Sequence, residues 1–170
     1  NIILFIDELH TLIGAGGAAR GVAYALAKAG TEHIVIANRT REKAVQLQNS
    51  LSSLTEVIAI QLAEVGHWIR DRTLIINTTS VGMAPEIDVS PLPQELLPEG
   101  VVVSDLIYNP AKTKLLREAE QRGCVIHNGL GMFVHQGALA YEKLTGTKAP
   151  LDVMRQAVMS HENPRIELPR

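Results

Sequence analysis

"HTLIGAGGAARGVAYALAKAG", residues 10–30, decides the fold. A short apolar run ends at Ile13. Gly14, Gly16 and Ala19 then fit the spacing G-x-G-x-x-G/A, and Ala, Val and Leu follow at helical spacing as far as Gly30. Each small residue has a physical task. The first permits a tight turn, the second lets the backbone approach a pyrophosphate, and the third lets the helix lie close on the preceding strand. Phosphates held by the bend from Gly14 through Ala15, Gly16 and Gly17 to Ala18 would lie at the positive end of the helix.

Downstream, short apolar runs recur at "HIVIA" (33–37), "EVIAI" (56–60), "TLIIN" (73–77), "VVVSD" (101–105) and "CVIHN" (124–128). With "HTLI" as the first, they read as the strands of one parallel sheet. Their hydrophobicity is continuous rather than alternating, which predicts strands covered on both faces. The expected fold is therefore an α/β, doubly wound, three-layer α/β/α domain of the Rossmann kind with strand order 3-2-1-4-5-6.

The connections have helical spacing or break it. Residues 40–53, "TREKAVQLQNSLSS", open at Thr40, which can cap a helix, while 62–71 support only a short one. Four prolines in residues 83–100 exclude a long helix and predict a surface segment with one helical turn near "PQELL". "TKLLREAEQRG" (113–123) and "GMFVHQGALAYEKLTG" (131–146) predict helices that stop at glycine, and "LDVMRQAVM" (151–159) predicts one more, packed on something outside the domain. Residues 161–170 read as a frayed tail.

The end of the second strand sets cofactor preference. An NAD site has an acidic residue ~20 positions after the glycines. Here "HIVIANRTR" places Asn38, Arg39, Thr40 and Arg41 there. A guanidinium at Arg39 can pair with a 2′-phosphate and stack on an adenine, where a carboxylate would repel the phosphate, so the expected cofactor is NADP(H).

Composition removes other functions. The 170 residues carry 16 basic and 18 acidic side chains, a formal charge of −2, with no basic stripe for a nucleic-acid backbone. Cys124 is the one cysteine, which excludes an internal disulfide and fits a reducing compartment. No apolar run reaches the ~20 residues of a membrane span, and the start lacks signal-peptide order, so a cytoplasmic protein without a membrane partner is expected. His127 and His135 do not form a metal-ligand pattern, and no metal is expected.

Five stretches in unbroken order, "GAGGAARG", "ANRTREKA", "NTTSVGM", "DLIYNPAKTKLL" and "NGLGMFVHQGALAYE", resemble the NADP-binding half of the shikimate dehydrogenases. The resemblance runs from Leu12 to Gly146 and implies reduction of 3-dehydroshikimate to shikimate with NADPH. It also implies roles by position. Gly14, Ala15, Gly16, Gly17 and Ala18 would hold the pyrophosphate; Asn38, Arg39, Thr40, Arg41 and Lys43 would surround the adenosine 2′-phosphate. Asn77, Thr78, Thr79 and Ser80 would edge the cofactor cleft, Leu106 and Gly129 would touch the nicotinamide end, and Tyr108 and Gln136 would reach the substrate. Met132 and Phe133 read as packing, and Tyr108 can equally pack its ring and wet its hydroxyl.

The family carries its acid–base lysine and aspartate in an amino-terminal substrate domain ahead of the glycine loop. Only about a dozen residues stand there, and the chain does not begin with Met. No catalytic residue is therefore assigned, and cofactor binding without turnover is expected. Shikimate would bind only with that domain, residues 147–160 would be a helix belonging to it, and its exposed face offers a homodimer contact.

The first sixteen residues, "NIILFIDELHTLIGAG", resemble instead the Walker B region of Clp-type AAA+ proteins, with Asp7 and Glu8 as the acidic pair. No G-x-x-x-x-G-K-[ST] cradle accompanies it, which disfavours ATP hydrolysis. An engineered junction near "LIGAG" is one expectation, with residues 1–11 a foreign extension; a divergent first strand is the other. Extended chain directly before Gly14 favours "LHTLI" as the first strand over "IILFI", which would then be an unpaired, aggregation-prone run.

Overall fold

The computed structural model describes residues 2–6, 15–71 and 73–162. They form one six-stranded parallel sheet with helices on both faces. In chain order the strands are β1 (Ile2–Ile6), β2 (His33–Asn38), β3 (Glu56–Gln61), β4 (Leu74–Asn77), β5 (Val102–Asp105) and β6 (Val125–His127), and their spatial order is β3-β2-β1-β4-β5-β6. The helices are α1 (Ala15–Lys28), α2 (Arg41–Leu51), α3 (Val65–Trp68), α4 (Lys114–Gln121), α5 (Leu130–Thr145) and α6 (Leu151–Glu162), with 3-10 turns at Leu62–Glu64 and Gln94–Leu96. The strand order and the three layers agree with expectation.

The first strand does not. The central position belongs to Ile2–Ile6, paired parallel with β2 on one side and β4 on the other, Ile3 standing between Val35 and Ile75. A central strand is covered on both faces, so polar side chains on either face lack water. "IILFI" is apolar throughout, whereas "LHTLI" carries a His and a Thr. The expected strand at 9–13 lies outside the described residues, and the Ile2–Ile6 run is neither unpaired nor an extension of the sheet.

Alternation along β1 divides the core. Ile3 joins Val35, Ile75 and Val103 under α3, α4 and the proline-rich segment, which supply Ile69, Leu92, Leu97, Leu115 and Leu116. Ile2 faces the other way, with Ile34, Ile36 and Ile76, and meets α1 and α2. Ala19, Ala23 and Ala27 recur every fourth residue and are all buried, so α1 presents a stripe of small side chains that lets its axis approach the sheet.

Helix ends follow the glycines, Gly123 (φ +72°) after α4 and Gly146 (φ +69°) after α5, a conformation in which a β-carbon would be strained. α2 differs from expectation at its start. The Thr40 side chain makes no capping bond; its backbone N–H donates instead to Asn38 Oδ1 at 2.8 Å. α6 packs along α5, Met154 approaching to 3.3 Å of where a Gly137 β-carbon would stand, and leaves Val153 and Met159 exposed.

Candidate functional site

Parallel register brings the carboxyl ends of the strands to one edge: Asn38 pairs with Ile6 and Gln61, and Asn77 with Phe5 and Asp105. β1 connects onward to β2, and β4 to β5 on the opposite side. The order therefore reverses between β1 and β4, the place where open α/β sheets form a crevice.

Of the glycine loop, Gly14 lies outside the described residues. Ala15 and Gly16 open α1, so the helix N-terminus stands at this edge. A β-carbon on Gly17 would meet nothing within 4 Å among the described residues. Ala18 is half-buried, while Ala19 is sealed under α1 as close helix-on-sheet packing requires.

The tip of β2 combines burial with charge. Asn38 is buried; its Oδ1 accepts the Thr40 N–H, and its Nδ2 has no hydrogen-bond partner among the described residues. A buried donor left unpaired costs about 1–3 kcal/mol, so a group arriving from outside gains by accepting from it. Arg39 and Arg41 are exposed beside it, with Lys43 half-buried, and Arg41 and Lys43 sit in the first turn of α2. These two cations, partly offset by Glu42 between them, oppose the positive end of the helix, an arrangement that an anion would relieve.

Across the crevice the side chains are tied together. Asn77 and Asp105 are fully buried, and Asn77 Nδ2 donates to Asp105 Oδ1 at 3.0 Å. Asn77 Oδ1 accepts from the Thr79 N–H (3.0 Å) and the Thr79 hydroxyl (2.7 Å), and Thr79 Oγ1 accepts the Val81 N–H (3.1 Å). Thr78 is buried and Ser80 exposed. Asp105 also accepts the Ile107 N–H at Oδ1 (3.0 Å) and the hydroxyl of the buried Thr113 at Oδ2 (2.7 Å). Burial pushes its carboxyl pKa up, against the pull of the bonds from Thr113, Ile107 and Asn77; the net direction is upward.

Leu106 donates its N–H to Asn77 O at 3.0 Å, and Gly129 donates its N–H to Ile107 O at 3.0 Å. Tyr108 lays its ring on Phe133 with centroids 4.0 Å apart and planes 18° from parallel, and Gln136 is exposed on α5 one turn beyond. The bonds join Asn77, Thr79, Asp105, Leu106, Ile107, Thr113 and Gly129; Thr78 and Ser80 flank Thr79 in the same turn, and Tyr108 follows Ile107 and rests on Phe133. Asn38, Arg39, Thr40, Arg41 and Lys43 stand on the other side of β1. Gln136 belongs to the same helix as Phe133 and lies outside the bonded cluster.

Two residues of this cluster have no role in the sequence reading: Asp105, read only as the end of a strand, and Thr113, read only as the start of a helix. The available signal was an Asp closing an apolar run, eight residues before a Thr at a helix start. His127 shares a hydrogen bond with Ser104 (3.0 Å), and among the described residues no cluster could hold a metal ion. No described helix is long and apolar enough to cross a membrane.

Comparison with known proteins agrees with this architecture. A family model for shikimate/quinate 5-dehydrogenase matches residues 5–87, beginning inside β1, and one for the shikimate 5′-dehydrogenase C-terminal domain matches residues 129–159. The chain is 44% identical over 155 residues to the NADP(+) shikimate dehydrogenase of Methanopyrus kandleri, covering 88% of this chain and 53% of that protein. It is 47% identical over 148 residues to that of Geobacillus kaustophilus, covering 87% and 53%. A crystal structure of a shikimate dehydrogenase in complex with NADP+ superposes with a TM-score of 0.77 at 38% identity, over 95% of this chain and 54% of that one. The chain spans about half the length of the curated relatives it matches.

Proposed function

This chain belongs to the shikimate dehydrogenase family, and from that premise we propose that it is the NADP(H)-binding half of an enzyme interconverting 3-dehydroshikimate and shikimate. The observation that carries the cofactor is the tip of β2, where a buried Asn38 whose Nδ2 has no hydrogen-bond partner among the described residues is flanked by Arg39, Arg41 and Lys43. A 2′-phosphorylated adenosine fits that set: the phosphate takes the cations and offsets the helix dipole, and an acceptor on the nucleotide takes the amide.

In this reading the first turn of α1, from Ala15 to Ala18, faces the pyrophosphate with backbone amides, and Gly14 shares in that role. Asn77 to Ser80, Leu106 and Gly129 form the wall at the nicotinamide end, where NADPH supplies the hydride. Tyr108 and Gln136 hydrogen-bond a polyhydroxylated acid. Tyr108 is held by Phe133, so its hydroxyl is presented from a fixed ring. Asn77 to Ser80, Leu106 and Gly129 offer neutral hydrogen-bonding groups, and in this reading turnover belongs to a longer protein that pairs this half with a substrate-binding one. The exposed Leu139, Leu144, Val153 and Met159 of α5 and α6 offer an apolar face for that half or for a second copy.

Calorimetric titration of the chain with NADPH and NADH tests the cofactor, followed by a shikimate oxidation assay with NADP+. Tighter binding of NADPH with negligible turnover supports the proposal; no binding of either nucleotide overturns it. A second reading, that residues 1–16 derive from a Clp-type AAA+ protein, rests on their resemblance alone. Its functional form, ATP hydrolysis, is tested by phosphate release, and a chain that consumes ATP would revive it.

A further inference from the structure

The Leu106–Ile107 peptide is gripped from both sides. Its N–H donates to Asp105 Oδ1 at 3.0 Å, and its carbonyl oxygen lies 1.8 Å from where a Gly129 β-carbon would stand. One end of the peptide is oriented by a carboxyl and the other fits only because residue 129 has no side chain. The same carboxyl takes the Asn77 amide, which holds the Thr79 turn, and the Thr113 hydroxyl, which accepts the Leu116 N–H at the start of α4.

We infer that Asp105 is a positioning residue for the nicotinamide end of the site, fixing residues 77–81 and 106–108 relative to one another through a single buried carboxyl. The inference rests on the cofactor reading above. Three donors converge on Asp105: an amide N–H of Asn77, a backbone N–H and a hydroxyl. An acceptor-only carboxylate matches that set, and no other unsubstituted side chain of its size does. A buried carboxyl is weak evidence for stability in itself, because a well-packed apolar replacement is often as stable. Its value here lies in geometry: the two segments it joins are 28 residues apart in sequence and adjoin the crevice.

The test compares NADPH with adenosine 2′,5′-bisphosphate, which carries the adenosine end without the nicotinamide, binding each to the whole chain and to Asp105→Ala and Asp105→Asn. Asp105→Ala orphans all three donors; Asp105→Asn keeps the shape and turns one acceptor into a donor. NADPH should weaken roughly tenfold in Asp105→Ala, the size expected when a binding wall shifts by a fraction of an ångström, and by less in Asp105→Asn. The bisphosphate should hold within about twofold in both. Equal weakening of both ligands, or no change in NADPH, overturns the inference, and Asp105→Asn decides by the same criterion if Asp105→Ala fails to fold. A wild-type chain that binds neither nucleotide sinks the cofactor reading first, and this inference with it.

Discussion

Gly129 sits against the carbonyl of Leu106 so closely that a β-carbon would fall 1.8 Å from the oxygen and 2.3 Å from the carbon. Neither atom can yield by rotating a side chain, since both belong to backbone whose N–H neighbours are already bonded to Asn77 and Asp105. Gly129→Ala should therefore cost about 1–3 kcal/mol in urea denaturation, as overpacking does. Gly131, two residues on and inside α5, has nothing within 4 Å of its β-carbon position. Gly131 lies in the first turn of α5, where the helix-interior gain is reduced, so Gly131→Ala should be neutral or stabilise the chain by up to about 0.5 kcal/mol. Equal effects at the two positions would mean that the Leu106 carbonyl is not where the structure has it.

Thr40 and Thr113 both precede a helix, yet only one caps. Thr113 Oγ1 accepts the Leu116 N–H and donates to Asp105, whereas the Thr40 hydroxyl makes no capping bond. Thr113→Ala should cost about 1–2 kcal/mol of stability, and Thr40→Ala about 0.5 kcal/mol at most, both read from thermal and urea unfolding. A larger loss at Thr40 would restore the cap that its sequence position predicts.

That contrast shows what sequence carries. Strands in a covered sheet are largely apolar, so five of them stand out as runs bounded by turns, even β6, where Val125 is exposed, and the reversal between β1 and β4 follows from their order. The glycine spacing predicts a strand immediately before it, but the central strand β1 is Ile2–Ile6. Eight residues separate Ile6 from Ala15, and the central place in the sheet belongs to Ile2–Ile6. At the candidate site, Asn38 and Arg39 are singled out by sequence because they stand at and just after the end of β2. Asp105 is not, since its meaning lies in partners at Asn77 and Thr113 that only the folded chain brings to it.

Arg39→Asp tests cofactor choice at the tip of β2. Replacing a guanidinium with a carboxylate beside a 2′-phosphate exchanges a charge-assisted bond for repulsion, while a free 2′-hydroxyl can hydrogen-bond a carboxylate. NADPH affinity should fall about tenfold or more and NADH affinity should change little, both measured by titration. A parallel loss for the two nucleotides would show that Arg39 does not meet the 2′-phosphate.

Asp105 also predicts a pH dependence with a definite sign. Burial, outweighing its hydrogen bonds, raises its pKa in the folded chain above that in the unfolded one. Between those values the folded state holds more protons, so the contribution to stability is fully present below the unfolded carboxylate value, near pH 4, and is lost as pH rises through the folded pKa. Asp105→Asn cannot titrate and removes this dependence. Urea midpoints of the two proteins, compared from about pH 4 to pH 7, should shift in favour of the variant as pH rises. Each other carboxylate and histidine contributes alike to both proteins, so the difference isolates Asp105. A difference that moved in favour of the wild type over the same range would mean that the three hydrogen bonds outweigh burial and that the folded carboxyl is more acidic than the unfolded one.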